Sequence, residues 1–124
     1  MKFYICDHCK NIIAFAHAAG PSVSCCGEKM KELVPHTQDV GNEKHLPVVE
    51  VNGNTVHVKV GSVAHPMMDE HYIHWIALET KQVNQIKELK PGEAPEASFA
   101  IVDGDEVVAA YEYCNLHGLW KTIL

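Results

Sequence analysis

Two groups of cysteines and histidines stand out in this sequence as candidate metal ligands. Four of the five cysteines lie within the first 26 residues, and the fifth, Cys114, stands close to a histidine in the stretch EYCNLHGLW. The chain also holds nine histidines in 124 residues, an unusually high number. Thiolates and imidazoles are ligands that transition metals prefer. Because the fifth cysteine is far from the other four in the chain, we consider it part of a second group.

The N-terminal cysteines follow a pattern typical of a metal knuckle, CDHC followed later by an adjacent pair. A C-x2-C turn directs two thiolates toward one point. The adjacent Cys25 and Cys26 cannot easily bridge each other, because disulfide geometry would be strained. We therefore expect four thiolates around one ion, with His8 exposed. The ligands would be Cys6, Cys9, Cys25 and Cys26. The spacing alone leaves a structural zinc site and an iron site equally open.

The second group consists of histidines near proline and glycine, joined by the fifth cysteine. EKHLPV carries His45, HPMMDEHYIHW carries His65, His71 and His74, and CNLHGLW carries Cys114 and His117. Within a strand, His71 and His74 would face opposite sides, so only one of them can easily join a common site. Histidine is the commonest metal ligand, and its convergence with a cysteine indicates a second metal site.

The elements that would position these residues are predicted to be β-strands. PVVEVNGNTVHVKVGSV alternates on both sides of Asn52-Gly53, which predicts a hairpin. The three valines of TVHVKV share one face, and His57 on the other face is expected to be solvent-exposed. Residues 71–79, 95–102 and 106–114 indicate further strands, whereas TKQVNQIKELK suits a strand or a helix. Six or seven short strands with regular turns predict a Greek-key β-sandwich.

Length and composition limit the domain organisation and the class of partner. Residues 1–36 are too few to bury a core of their own, so metal binding would supply their folding energy. The polar stretch HTQDVGNEK indicates a linker, and we expect domains at residues 1–36 and 37–124. The net charge of −6 argues against general nucleic-acid binding. The apolar runs are too short to span a membrane, and a weak signal-like stretch, IIAFAHAAG, leaves the cytoplasm as the expected location.

Taken together, these stretches resemble the desulfoferrodoxin family of two-iron superoxide reductases over essentially the whole chain. The resemblance implies a small desulforedoxin-like N-terminal domain with iron held by four cysteines, where zinc is also possible. It implies an immunoglobulin-like β-sandwich after it, with iron bound by four equatorial histidines and one axial cysteine and a sixth position left open. The implied ligands are His45, His65, His71, His117 and Cys114.

The same resemblance implies one-electron reduction of superoxide by Fe(II), with uptake of two protons and release of hydrogen peroxide. The family's glutamate and lysine before the first histidine fall on Glu43 and Lys44, which makes both candidate catalytic residues. The lysine would attract the anion, and the glutamate would move onto the open position after turnover. The thiolate opposite that position would tune the iron.

The implied partners are superoxide and an electron donor, which in this family is usually rubredoxin, and we expect a homodimer. One alternative is an electron carrier in which both irons only shuttle electrons. Another is a zinc-stapled binding module with an inert sandwich. The chain departs from the family pattern at His74, where an acidic or amide residue is more common, and at Leu119, where histidine is common. Neither residue is an implied ligand.

Overall fold

The computed structural model describes residues 1–41 and 44–124, which form two compact units of β-strands and loops. One unit spans Met1–Val34 and the other Pro35–Leu124, so the division falls close to the expected boundary after residue 36. The described residues contain no helix, and therefore none long and apolar enough to cross a membrane. The all-β prediction is confirmed.

The N-terminal unit is built from two small antiparallel sheets. Its strands are β1 (Phe3–Ile5), β2 (Ile12–Ala14), β3 (Ser24–Cys25), β4 (Glu28–Lys29) and β5 (Lys31–Glu32). One sheet has the order β2-β1-β5, and β3 pairs with β4 as a hairpin. The buried hydrophobic residues described here are Phe3, Ile5, Cys6 and Met30. A core this small gives little stability by itself, which leaves a structural role for a bound metal.

The second unit is a sandwich of two antiparallel sheets. Its strands are β6 (Pro47–Asn52), β7 (Thr55–Val60), β8 (Ile73–Thr80), β9 (Asn84–Glu88), β10 (Glu96–Ala100), β11 (Val107–Cys114) and β12 (Gly118–Ile123). One sheet has the order β10-β7-β6 and the other β12-β11-β8-β9. β11 pairs with β8 rather than with its chain neighbour β10. The chain thus passes repeatedly between the sheets, as a Greek-key sandwich requires.

The core of this unit lies between the two sheets. The three predicted valines of β7 are at most 1% exposed, and Ile76 and Leu78 of β8 are fully buried. His57 on the opposite face of β7 is partly exposed and lies 2.9 Å from the hydroxyl of Ser98. The alternation of β7 is therefore confirmed, because residues two apart in a strand share a face.

Two segments differ in detail from the sequence prediction. Asn52 pairs with Thr55, so the loop of the first hairpin is Gly53–Asn54 rather than Asn52–Gly53. Gly53 has a φ of 62°, which a type II′ turn requires at its first position and which glycine adopts without steric cost. The ambiguous segment forms β9, an edge strand on β8. Its Ile86 is 53% exposed, so the helix-like spacing does not reflect a buried face.

Candidate metal centres

The four N-terminal cysteines converge in the first unit. Their sulfur atoms lie within 4.8 Å of one another, and none of the five cysteines, all of which the structure describes, forms a disulfide. The backbone amide of Cys9 donates to Cys6 Sγ and that of Asn11 to Cys9 Sγ, each at 3.5 Å. This turn directs both sulfurs toward one point, as the C-x2-C spacing predicts. The side chain of His8 is 65% exposed and lies 3.7 Å from Glu28, as expected for a residue outside the cluster.

The hairpin between β3 and β4 explains how two adjacent cysteines can serve one site. Cys25 ends β3, and Cys26 and Gly27 form the two-residue loop, with φ values of 54° and 77°. Positive φ at both loop residues is typical of a type I′ turn. The turn brings Cys26 Sγ within 4.0 Å of Cys25 Sγ without joining them.

The protonation of these thiols indicates that the cluster suits a cation. The backbone amide of Cys9 lowers the pKa of Cys6 to about 6. Contact with the sulfurs of Cys9, Cys6 and Cys25 raises the pKa of Cys26 to about 12. Four thiolates this close repel one another unless a positive charge lies among them. The donor set therefore fits a metal ion with sulfur ligands.

Four imidazoles in the sandwich unit form a closed ring of neighbours. The ring centres are 4.9 Å apart for His45 and His65, 4.8 Å for His65 and His71, 5.2 Å for His71 and His117, and 4.8 Å for His117 and His45. The fully buried Cys114 places its sulfur 3.7 Å from Nδ1 of His117. His45 and His65 are also buried, whereas His117 is exposed, so solvent borders this cluster at His117.

The separation of these five donors suits one ion. One donor atom from each residue lies within 4.8 Å of all the others. Two ligands on opposite sides of a transition-metal ion, each at ~2.1 Å, are about 4.2 Å apart. Imidazole and thiolate together are a donor set for iron or copper as well as zinc. The side chains present therefore fit the iron that the family resemblance implies.

The sandwich brings the donors together because they lie at strand ends that meet. His45 precedes β6, His65 follows β7, His71 precedes β8, and Cys114 and His117 lie where β11 turns into β12. Antiparallel neighbours reverse direction, so the start of one strand lies beside the end of the next. Pro47 of β6 accordingly pairs with Val60 of β7, and Ile73 of β8 with Cys114.

Hydrogen bonds fix the orientation of two of these histidines. Nδ1 of His65 lies 2.7 Å from the carbonyl oxygen of Pro66, and donation to that oxygen leaves Nε2 as the ligand atom. Nε2 of His65 is 3.2 Å from Nε2 of His45. His71 exchanges two backbone hydrogen bonds with Met68, at 2.9 and 3.0 Å.

Two polar residues that sequence reasoning missed hold the loops of the site. Asp39 Oδ1 accepts from the backbone amides of His45 at 2.8 Å and Leu46 at 3.1 Å. Asn115 Oδ1 accepts from the amide of Tyr72 at 3.0 Å, and its Nδ2 donates to the carbonyl of Glu70 at 2.9 Å. Asp39 lies in the predicted linker, and Asn115 lies in a turn. Asp and Asn are common in turns because their side chains hydrogen-bond to nearby backbone. Their presence in a linker and a turn therefore did not indicate a contact with a distant part of the chain.

His74 does not join the five donors. Its ring packs 4.2 Å from that of Tyr72 and 5.7 Å from that of Tyr113. Burial lowers its pKa, against an opposing effect of Glu88. Only one of the two histidines is in the cluster, as their spacing predicts, and it is His71, the one that the family resemblance implies. His71 lies before β8 rather than inside the strand.

Lys44 is half-buried beside His45, and its Nζ donates to the carbonyl of Gly41 at 3.3 Å. Its backbone packs closely on Gly61, where an added Cβ would lie 2.6 Å from the carbonyl oxygen of Lys44. Only glycine leaves room for this approach, because the nearest atom belongs to the backbone. Glu43, the other predicted catalytic residue, lies outside the described residues.

Sequence comparisons show which known proteins this chain resembles. The family model described as desulfoferrodoxin matches residues 37–123. A desulfoferrodoxin of Nitratidesulfovibrio vulgaris is 52% identical over 120 residues, covering 97% of this chain and 94% of that protein. A desulfoferrodoxin homolog of Archaeoglobus fulgidus is 47% identical over 122 residues, covering 98% of this chain and 96% of that protein.

Solved structures resemble the fold as well. The superoxide reductase of Treponema pallidum is 45% identical with a TM-score of 0.85, and the match covers 98% of this chain and 96% of that one. The superoxide reductase (1Fe-SOR) of Giardia intestinalis is 36% identical with a TM-score of 0.59, and the match covers 67% of this chain and 98% of that one. On its sequence, its fold and its two clusters of donors, this chain belongs to the desulfoferrodoxin family.

Proposed function

We propose that this protein is a superoxide reductase that works at the His45, His65, His71, His117 and Cys114 centre. The observation that carries the proposal is the closed ring of four imidazoles beside a buried thiol. Its relatives from Treponema and Giardia are named superoxide reductases, which supports the same reaction here. Each superoxide takes up one electron and two protons and leaves as hydrogen peroxide. Iron in this centre, when bound, supplies the electron.

The donor set suits an anionic substrate. Four neutral imidazoles and one thiolate only partly offset the charge of a divalent ion, so the centre stays positive and attracts an anion. With iron bound, the buried Cys114 would serve as a thiolate ligand that donates electron density and tunes the redox chemistry of the metal. Hydrogen bonds that Asp39 and Asn115 accept from backbone amides of the site loops hold the donors in place before substrate arrives.

Lys44 adds a local positive charge next to the centre. The net charge of −6 opposes an anion only weakly, since charges beyond ~8 Å are largely screened at physiological salt. Local charges therefore govern the approach, and in this proposal the Lys44 ammonium draws in superoxide or hydrogen-bonds to it. The proposed part of Glu43 is to close the centre in its oxidised state.

Rapid mixing of the reduced protein with superoxide tests the reaction. A superoxide reductase should be oxidised in a second-order step and should form one hydrogen peroxide per superoxide, without releasing oxygen. Cys114→Ser should lose most of this rate, whereas His57→Ala, on the other sheet, should keep it. An electron carrier would exchange electrons with redox proteins but would react with superoxide no faster than free ferrous iron does, and that result would favour the alternative function.

For the N-terminal cluster we propose iron as well. Metal analysis and a visible spectrum in both redox states test the choice, because ferric thiolate is coloured and zinc is colourless.

We also propose that a small electron-transfer protein such as rubredoxin re-reduces the catalytic centre, and that the protein is a cytoplasmic homodimer. Sedimentation equilibrium of the metal-loaded protein measures the assembly directly.

A further inference from the structure

The indole of Trp120 touches a residue of the catalytic centre and an exposed histidine outside it. Its ring is stacked on His45, with centroids 4.6 Å apart and planes at 11°. The ring of His36 lies 4.6 Å from the same indole at 38°. Trp120 is 6% exposed, whereas His36 is exposed. Two aromatic rings, those of His36 and Trp120, therefore connect the surface to a ligand of the catalytic centre.

The rings of this path are held in place by hydrogen bonds. The backbone amide of His36 donates to the carbonyl of Leu119 at 2.8 Å, and the amide of Lys121 donates to the carbonyl of His36 at 2.9 Å. Nε1 of Trp120 donates to the carbonyl of His117 at 3.1 Å. Packing alone would account for Trp120, but the exposed ring of His36 is not needed to fill the core and is not among the five donors.

We propose that His36 and Trp120 form the entry path for the electron that re-reduces the catalytic centre, which rests on the proposed function. The partner is a small redox protein that gives up one electron. The donor is oxidised by one electron and the ferric centre becomes ferrous, with no atom or group transferred between the two proteins. Electron tunnelling weakens steeply with distance. For a donor that docks over His36, the rings of His36 and Trp120 fill the space between the donor and His45, and they should therefore speed electron transfer to the centre.

The surface beside His36 suits a brief encounter. A Cβ at Gly118 would lie 3.8 Å from Nε2 of His36, so the start of β12, directly after the turn that follows β11, borders the exposed ring. Leu116 in that turn is 60% exposed. Redox partners generally meet through small interfaces and separate quickly. The exposed ring of His36, bordered by the start of β12, provides such a contact.

Stopped-flow reduction tests the path. The ferric protein is prepared with ferricyanide and mixed with reduced rubredoxin. His36→Ala should slow reduction several-fold, and His36→Phe, which keeps a ring, should restore most of the rate. His57→Ala is the matched control and should follow the wild type. Dithionite, a small reductant that needs no docking face, should reduce all four proteins at similar rates.

A second readout does not depend on turnover. The zinc-loaded protein is diamagnetic, and ferric rubredoxin broadens the NMR signals of residues that it approaches. The resonances of His36 and of the Trp120 indole should broaden at lower rubredoxin concentrations than those of His57. Broadening centred on another face would overturn the proposal.

Equal reduction rates in the wild type and His36→Ala would also overturn the path, as would a His36→Phe protein as slow as His36→Ala. These outcomes are distinct from a failure of the proposed function. A reduced wild-type protein that does not react with superoxide would refute the reductase activity. The rates of reduction by rubredoxin, in contrast, are measured on protein oxidised by ferricyanide and need no superoxide.

Discussion

Lys44 is the residue through which local charge should govern catalysis, because it adjoins His45 and superoxide carries one negative charge. Lys44→Ala should slow the oxidation of the ferrous centre by roughly tenfold or more, the low end of electrostatic steering. Lys44→Arg should lose less, since it keeps the charge, and Lys44→Glu should lose most. The measurement is the second-order rate with pulsed superoxide.

Salt dependence separates attraction from simple damage to the loop. The wild-type rate should fall as salt rises, and that of Lys44→Ala should fall less, because one attractive charge is gone. Lys59→Ala is a suitable control, since Lys59 lies on β7 in a surface pair with Glu50 at 3.9 Å. Equal rates and salt slopes in the wild type and Lys44→Ala would show that Lys44 is only a solvated loop charge.

Glu43 should act after the electron has left. Its carboxylate is a good ligand for ferric iron, and closure of the oxidised centre would exclude other anions. Glu43→Ala should therefore change the ferric visible spectrum and allow added azide or cyanide to bind, while the encounter with superoxide stays nearly unchanged. Spectra recorded with and without azide give the result. A variant with the wild-type ferric spectrum would rule out this role.

His74 should make stability depend on pH. Its pKa is lowered from the ordinary value of 6.5 by burial, so the unfolded chain takes up a proton more readily than the folded protein. Its contribution to stability is complete above the unfolded pKa and is lost as the pH falls from 6.5 toward the lower folded value. Urea unfolding of the metal-loaded protein from neutral to mildly acidic pH should show a shallower loss for His74→Phe. A slope equal to that of the wild type would contradict this account.

At the scale of elements, the loop before β6 packs closely against Gly61, the residue that follows β7. A methyl group there would lie 2.6 Å from the carbonyl oxygen of Lys44, so the loop that carries Lys44 and His45 must shift. Gly61→Ala should cost about 1–3 kcal/mol of unfolding free energy, as overpacking typically does. It should also alter the ferric spectrum and lower the superoxide rate, because the shift reaches a donor of the centre.

Ser62→Ala is the control for Gly61→Ala, since Ser62 is the exposed neighbour on the same loop. It should leave stability, spectrum and rate close to those of the wild type. Gly61→Ala protein with a wild-type spectrum and rate would mean that the loop absorbs the methyl group without moving the site.

At the scale of the whole molecule, the two donor clusters share no residue and lie in separate units. Cys9→Ser should abolish metal binding by the four cysteines and loosen the first unit, because metal supplies much of its folding energy. Superoxide reduction by the sandwich centre should remain largely intact. Metal content per chain and the rate with superoxide provide the test. Loss of the rate in a variant that still holds the second ion would contradict separable centres.

The sequence by itself determined the ligand types and the strand architecture. The C-x2-C turn and the alternation of β7 are local, because a pattern repeating every two residues reports which face of a strand is buried. The loop of the first hairpin lies one residue later in the structure than the sequence predicted, because two turn types suit the same Asn-Gly-Asn run. His45, His65, His71, His117 and Cys114 themselves were predicted as ligands from a family resemblance, and the closed ring of the four imidazoles became visible only in the fold.

Only the tertiary structure decided what surrounds those ligands. Asp39 and Asn115 are residue types that are common in turns, yet each accepts a hydrogen bond from the backbone of a loop at the catalytic centre. Gly61 leaves room for Lys44, and Trp120 joins His36 to His45. These partners belong to different strands and loops, and their contacts arise when strand ends meet at one end of the sandwich. A local sequence pattern reports burial and turns, but it carries no information about which distant residue lies opposite.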